Sequence, residues 1–281
     1  MHFFQLLVLA VVQGAAELLP VSSSAHVIVA EKLMGLDPTL PQMTLLLVML
    51  HTGTMFAVIA YFWRAWLATY FSSQAAFRAS AARLIVATAC TGAVGLALLY
   101  LIKHVVAGNA PGFEIEQLFG DTRLIAGGLA AAGILIIVSS RFAATGREDI
   151  PLRTAAWIGA VQGLCLPFRG FSRSGATIST SLAMGVARQR AEEFSFALAV
   201  VLTPAVIAKE AYRAYAAQHQ TLAGHGAALW GMVGSSLLGM ALSFLAGLAA
   251  LRWLSRWLDQ GRWHLFGGYC LLASLFVFTL G

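Results

Sequence analysis

Charged residues are scarce in this sequence: Asp, Glu, Lys and Arg make up 11% of its 281 residues, where soluble domains carry about 25%. So few charges cannot clothe the water-facing surface of a chain this long, which excludes a soluble globular protein. Cysteine is sparse as well. Cys90, Cys165 and Cys270 lie in apolar segments with no metal-like spacing, and read as small buried hydrophobes. A basic n-region is missing from residues 1–16, and a polar Gln-Gly-Ala-Ala-Glu segment follows at Gln13. This stretch is therefore expected to belong to the mature protein, not to a signal peptide. The net charge of +6 implies no nucleic-acid partner, because membrane proteins gather Lys and Arg in cytoplasmic loops.

What is present is apolar length. Residues of apolar type make up 59% of the chain, and mean hydropathy is +0.79. Runs such as Met43–Trp63, Leu84–Ile102, Leu124–Val138 and Leu229–Leu251 approach or exceed the roughly 20 residues that cross a bilayer as a helix. The 27 glycines suit close approach of membrane helices. Trp and Tyr residues such as Tyr61, Trp63, Trp66, Trp253 and Trp263 flank these runs and read as interfacial anchors.

The chain also repeats itself. Val12-Gln13-Gly14 recurs as Val161-Gln162-Gly163, Ser23 falls opposite Ser172, and Met34-Gly35 recurs as Met184-Gly185. A shared order and offset point to a duplicated half. Each half opens with two short apolar helices broken by a polar turn: about 3–18 and 23–35, then 154–166 and 174–187. Such pieces are too short to span and read as re-entrant hairpins. Three full spans follow in each half, at about 42–62, 83–103 and 122–140, then 192–211, 227–251 and 263–280. The expected fold is an all-α polytopic membrane protein with an inverted-topology repeat, having six full transmembrane helices and two broken hairpins that approach mid-membrane. It forms one membrane domain, 1–281, with repeats 1–140 and 154–281 and re-entrant segments 3–35 and 154–187. Broken backbone at that depth must be buried or line a wet cavity. Eleven basic residues (Arg64, Arg78, Arg83, Arg141, Arg147, Arg153, Arg188, Arg190, Arg252, Arg256 and Arg262) fall on one side, and five (Lys32, Lys103, Arg123, Lys209 and Arg213) on the other. The richer side is expected to be cytoplasmic, which puts both termini outside.

Chemistry concentrates at the two breaks. The first runs from Gln13 through Glu17, Pro20, Ser22, Ser23 and Ser24 to His26. An ionisable group in a membrane segment is costly unless paired or hydrated, and marks function by default. Gln13 and Glu17 share a helix face and offer oxygen ligands to a hard cation, Mg²⁺ or Ca²⁺. Ser22–Ser24 sit near a helix N-terminus, where an anion is favoured. Ser23 and His26, three apart, are spaced as a hydroxyl nucleophile and its base. Bland readings compete: serines as helix caps, His26 as a core histidine, Glu17 in a structural ion pair. The second break runs Pro167-Phe-Arg169-Gly170-Phe171-Ser172-Arg173-Ser174-Gly175-Ala176-Thr177. It matches no standard P-loop, yet its glycines, hydroxyls and guanidinium are what a phosphate asks for. Arg173 needs an anion, either a phosphate or Glu17. Arg169 reads equally as a snorkelling surface residue or a site residue. His51 reads as packing or support for the site, and Glu192 and Glu193 as a solvated loop edge.

At these breaks the chain resembles the undecaprenyl pyrophosphate phosphatase, or bacitracin-resistance, family. The family's Glu/Gln-x-x-x-Glu followed by Pro-x-Ser-Ser and His is met by Gln13, Glu17, Pro20, Ser22, Ser23 and His26. Its Pro-Gly-x-Ser-Arg-Ser-x-x-Thr is met by Gly170, Ser172, Arg173, Ser174 and Thr177. The likeness extends through Glu193-Phe-Ser-Phe and more loosely over the whole chain. Arg169 stands where the family usually has Pro, and Gln13 where many members have Glu. The resemblance implies removal of the terminal phosphate from a C55 isoprenoid pyrophosphate, aided by a divalent cation. That activity recycles the lipid carrier of cell-wall synthesis in the bacterial inner membrane and confers bacitracin resistance. It also implies a homodimer. Ser23 is expected as nucleophile, with His26 activating or orienting it. Glu17 and Gln13 hold the metal or Glu17 acts as acid/base. Arg173, with Ser22, Ser172, Ser174, Gly175 and Thr177, grips the phosphates. His26 as nucleophile through a phosphohistidine is the alternative. A transporter or flippase of polyprenyl phosphate would use the same inverted repeat and the same site.

Overall fold

The computed structural model describes residues 2–36, 41–106, 108, 121–142, 146–219 and 226–279. Ten α-helices are found there: α1 (Phe3–Leu18), α2 (Ser23–Leu33), α3 (Pro41–Tyr70), α4 (Gln74–Leu101), α5 (Thr122–Ser139), α6 (Leu152–Leu164), α7 (Arg173–Ala183), α8 (Arg188–His219), α9 (Gly226–Asp259) and α10 (Trp263–Thr279). No strand is formed among the described residues. Long apolar stretches leave the backbone no partner but itself in lipid, and the helix satisfies every interior N–H and C=O. Four helical segments are long and apolar enough to cross a membrane: Leu45–Tyr70, Gln74–Val105, Thr122–Ser139 and Gly234–Asp259. Two expected spans fall outside that set. The helix over 192–211 carries Glu192, Glu193, Lys209 and Glu210, and α10 is apolar but has 17 residues. Residue 1, the connection 109–120, positions 280–281 and the side chains of Lys209 and Arg213 lie outside the described residues.

The two short-helix pairs double back. The Gln5 side chain on α1 donates to the Met34 carbonyl at the end of α2 (3.5 Å). The Arg147 guanidinium, just before α6, donates to the Met184 carbonyl at the end of α7 (2.8 Å). At the second pair's open end a charged cluster gathers. Arg83 pairs with Asp149, and Arg190 with Glu193 (2.7 Å) and Glu148 (3.7 Å), while Arg190 also reaches Thr69 at the end of α3 (2.8 Å). The first pair instead opens toward the start of α3, a 30-residue helix about 45 Å long. The two pairs therefore enter the bundle from opposite ends.

In the helix packing, α1 lies on α9 and α6 on α4, while α3 meets both α8 and α9 and α5 meets α10. Equivalent glycines make two of these contacts possible. A Cβ at Gly14 would lie 2.7 Å from the Ser243 carbonyl on α9, and one at Gly163 would lie 2.9 Å from the Thr91 carbonyl on α4. Small residues at such crossings let backbones touch.

Two readings of surface residues are corrected. Glu192 and Glu193 are buried, because the first turns of α8 tuck under α3 and α9. Glu192 accepts from Ser255 (2.5 Å), and Trp66 donates to the Glu193 carbonyl (3.3 Å). Trp263 is no interfacial anchor: it is 1% exposed, and its Nε1 lies 3.1 Å from Ser139 Oγ and 3.3 Å from Ser179 Oγ. Trp66 is buried too, whereas Trp63 and Trp253 do face outward.

Candidate active site

The tips of the two hairpins meet. Ser174 on α7 donates to the Leu19 carbonyl of the first hairpin (3.1 Å), and Cys270 on α10 reaches the Pro20 carbonyl (3.2 Å). α2 begins at Ser23 and α7 at Arg173, so two helix N-termini converge on one spot. Each brings free N–H groups and a partial positive charge, which together favour an anion.

Glu17 is the hub. Its Oε1 accepts from the Arg173 guanidinium at 2.9 Å. Its Oε2 accepts from the Ser23 hydroxyl at 2.6 Å and the Gln13 amide at 3.2 Å. His51 Nε2, from α3, lies 3.8 Å from the same oxygen. A second guanidinium nitrogen of Arg173, Nη1, is buried and has no hydrogen-bond partner. A buried guanidinium N–H left unpaired is costly, and a ligand phosphate oxygen is what would satisfy it.

Ser23 owes its placement to a strained turn. Ser22 has φ 66°, the one non-glycine residue with positive φ among the described residues; such a conformation costs of order 1–3 kcal/mol and clusters at functional sites. The His26 ring supports it: Nδ1 lies 2.7 Å from the Ser22 carbonyl, and Nε2 lies 2.6 Å from the Tyr269 hydroxyl of α10. A carbonyl only accepts, so Nδ1 carries a proton, and in the neutral ring Nε2 accepts from Tyr269. Both nitrogens are thus engaged away from Ser23. The sequence spacing that suggests a Ser23–His26 pair is not used as one, because the Ser23 hydroxyl turns to Glu17 and the ring to the opposite side of α2.

In the second hairpin, Ser172 caps α7 by accepting from the Gly175 N–H (3.2 Å) and contacts Ser174 (3.4 Å). Thr177 donates to the Arg173 carbonyl (2.9 Å) and meets Ser195 Oγ (2.6 Å). It holds α7 to α8 and is fully buried. Ser22 Oγ lies 3.3 Å from Ser24 Oγ. A cavity of about 460 Å³ opens from this center and is lined by Gln13, Ser23, Ser24, His51, Glu31, Lys32 and Arg169 between walls that include Val27 and Leu47. His51, expected as packing or support, comes beside Glu17 because α3 packs on α1. Tyr269 escapes sequence reasoning: it stands 243 positions from its partner, and no local pattern announces that contact.

Two hairpin tips, a hydroxyl held by a carboxylate and a guanidinium with one unfilled nitrogen between helix N-termini form one constellation. The model of the family described as bacitracin resistance protein BacA matches residues 6–276. This chain belongs to that family. Among its curated relatives, "Undecaprenyl-diphosphatase 2" of Acinetobacter baylyi is 61% identical over 280 residues, covering 100% of this chain and 98% of that protein. "Undecaprenyl-diphosphatase 1" of Burkholderia pseudomallei is 33% identical, covering 98% and 96%. "Undecaprenyl-diphosphatase" of Korarchaeum cryptofilum is 29% identical and covers 100% of both. The residues that carry the sequence resemblance to this family, among them Glu17, Ser23 and Arg173, meet at the two tips.

Proposed function

We infer that this chain is an undecaprenyl-diphosphatase, a multi-pass membrane enzyme that removes the terminal phosphate of undecaprenyl diphosphate. One observation carries the reading: Ser23 donates to Glu17 at 2.6 Å while Arg173, paired to the same carboxylate, keeps one buried nitrogen unfilled. The terminal phosphate enters between the two helix N-termini and takes up that nitrogen. Ser23 Oγ attacks phosphorus as Glu17 receives the hydroxyl proton, and the bond to the bridging oxygen breaks to release undecaprenyl phosphate. Water then cleaves the phosphoserine and frees inorganic phosphate. Arg173, Ser172 and the N–H groups of Ser23 and Ser24 stabilise the charge that spreads over the phosphoryl oxygens, while Ser174 and the Gly175 N–H hold the tip in shape through Leu19 and Ser172. His26 acts as a positioning residue that braces the strained Ser22 turn.

A divalent cation, Mg²⁺ or Ca²⁺, fits this site on the chemistry of its donors. No cluster of three His, Cys, Asp or Glu is assembled among the described residues, and Glu17 with the Gln13 amide oxygen are the protein ligands at hand. Mg²⁺ is commonly held by one or two carboxylates, with substrate phosphates and waters completing its shell. When bound it would offset diphosphate charge.

The fold is proposed to be an inverted repeat of two halves, 1–140 and 154–281, with re-entrant hairpins 3–35 and 154–187 and six full spans. The opposite entry of the hairpins and the matched packing of α1 on α9 and α6 on α4 support it. The protein is placed in the bacterial plasma membrane with its Arg-rich end in the cytoplasm and both termini outside, as a homodimer in keeping with the family resemblance. The test is release of inorganic phosphate from undecaprenyl diphosphate by purified protein in detergent, with and without EDTA. Phosphate release that EDTA suppresses is expected. A wild-type protein that releases none, yet moves prenyl phosphate across vesicles, would replace hydrolysis with transport.

A further inference from the structure

The cavity is polar at both ends, and the chemistry described above uses one of them. Gln13, Ser23 and His51 line the inner end, while Glu31, Lys32 and Arg169 line the same cavity farther out. Glu31 follows Ser23 by eight residues on α2, about 12 Å along the axis. The outer set therefore starts about two turns along α2 from Ser23.

Glu31 is 5% exposed, and its Oε1 is buried without a hydrogen-bond partner. The charge that acts on it is Arg169. The backbone at Arg169 is pressed against α5. A Cβ at Gly128 on α5 would fall 2.8 Å from the Arg169 carbonyl, and one at Gly170 would fall 2.2 Å from the Ile125 carbonyl. The apex of the second hairpin is thus pressed onto α5, with Gly170 at φ 94°, and the exposed Arg169 side chain leaves a fixed base beside the cavity. Lys32, also exposed, adds a second cation. One carboxylate among two cations leaves a net positive mouth, which favours an anion.

We propose that Arg169, with Lys32 beside it and Glu31 as its resting counter-ion, forms an outer diphosphate-binding station through which the lipid headgroup passes on its way to Ser23. The proposal rests on the hydrolase reading for the identity of that headgroup. Glu31 prevents Arg169 from holding the anion at the mouth, and its unpartnered oxygen is the sign of a charge kept for this exchange.

Steady-state hydrolysis of undecaprenyl diphosphate is measured for wild type, Arg169→Ala, Arg169→Lys and Glu31→Gln, with inorganic phosphate and inorganic diphosphate as inhibitors. Arg169→Ala should raise KM about fivefold, slow turnover at saturation less than twofold and flatten the salt dependence of kcat/KM. Arg169→Lys should recover most of that loss. Glu31→Gln should lower KM and strengthen inhibition by inorganic diphosphate. If the free anion's inhibition shifts in step with KM, the station reads the phosphates; a shift in KM alone means it reads the headgroup only with its lipid. Unchanged KM and inhibition in Arg169→Ala, or a loss of kcat that Arg169→Lys does not rescue, would overturn the proposal. Should wild type hydrolyse nothing, the functional reading falls first. Titration calorimetry of inorganic diphosphate into wild type and Arg169→Ala then decides the station separately, with equal affinities overturning it.

Discussion

Replacing Arg173 with lysine separates charge from geometry at the site. The guanidinium presents two nitrogens in two directions: Nη2 is bonded to Glu17 at 2.9 Å, and Nη1 is buried and unfilled. A lysine ammonium is a single point donor. It can stay on Glu17 or turn to the phosphate, but it cannot span both directions as the planar fork does. Loss of one donor aimed at transition-state charge costs about 2.7–4 kcal/mol, or 10²–10³ in kcat. Arg173→Lys should therefore lose roughly 10² in kcat/KM. Arg173→Ala, which removes both contacts, should lose about 10³ or more. Stability adds an independent readout. The pair is partly exposed, 23% for Arg173 and 19% for Glu17, so breaking it should cost about 1–3 kcal/mol, below the 3–5 of a fully buried pair. Glu17→Ala/Arg173→Ala should then be more stable in detergent than either single variant, because no charge is left alone. Phosphate-release kinetics and thermal unfolding test both statements. An Arg173→Lys enzyme within threefold of wild type would refute the two-direction role of the guanidinium, as would an Arg173→Ala enzyme altered only in KM.

Three other outcomes follow from the same geometry. Ser23→Ala should abolish turnover while still binding substrate, whereas Tyr269→Phe, which removes one support of the His26 ring, should lower kcat by about tenfold at most; equal losses in the two variants would place the histidine in the chemistry itself. Gln13→Glu adds a carboxylate beside Glu17 and should lower the Mg²⁺ concentration needed for half-maximal activity severalfold, read from activity against free Mg²⁺; unchanged metal dependence would remove position 13 from the cation site. Gly170→Ala places a Cβ 2.2 Å from the Ile125 carbonyl at φ 94° and should destabilise the protein by about 2–3 kcal/mol, whereas a melting temperature equal to wild type would mean that the apex does not press on α5.

By itself the sequence determined the membrane class, the helical content and the two polar breaks, because composition and run length are local and lipid leaves the backbone few options. It also marked Gln13, Glu17, Ser23 and Arg173, since polar groups in an apolar chain announce themselves by their cost. Tertiary structure alone decided which of these groups touch. Ser23 and His26 are adjacent in helix spacing, yet the strained Ser22 turn and Tyr269 draw the ring away, and Glu17 takes the hydroxyl. Glu192 and Trp263 sit where charge and aromaticity suggest a surface, but the packing of α8 and α10 buries both. Contacts between residues 156 or 243 positions apart depend on how helices cross, and crossing is set by the fit of whole faces, which no short stretch of sequence contains.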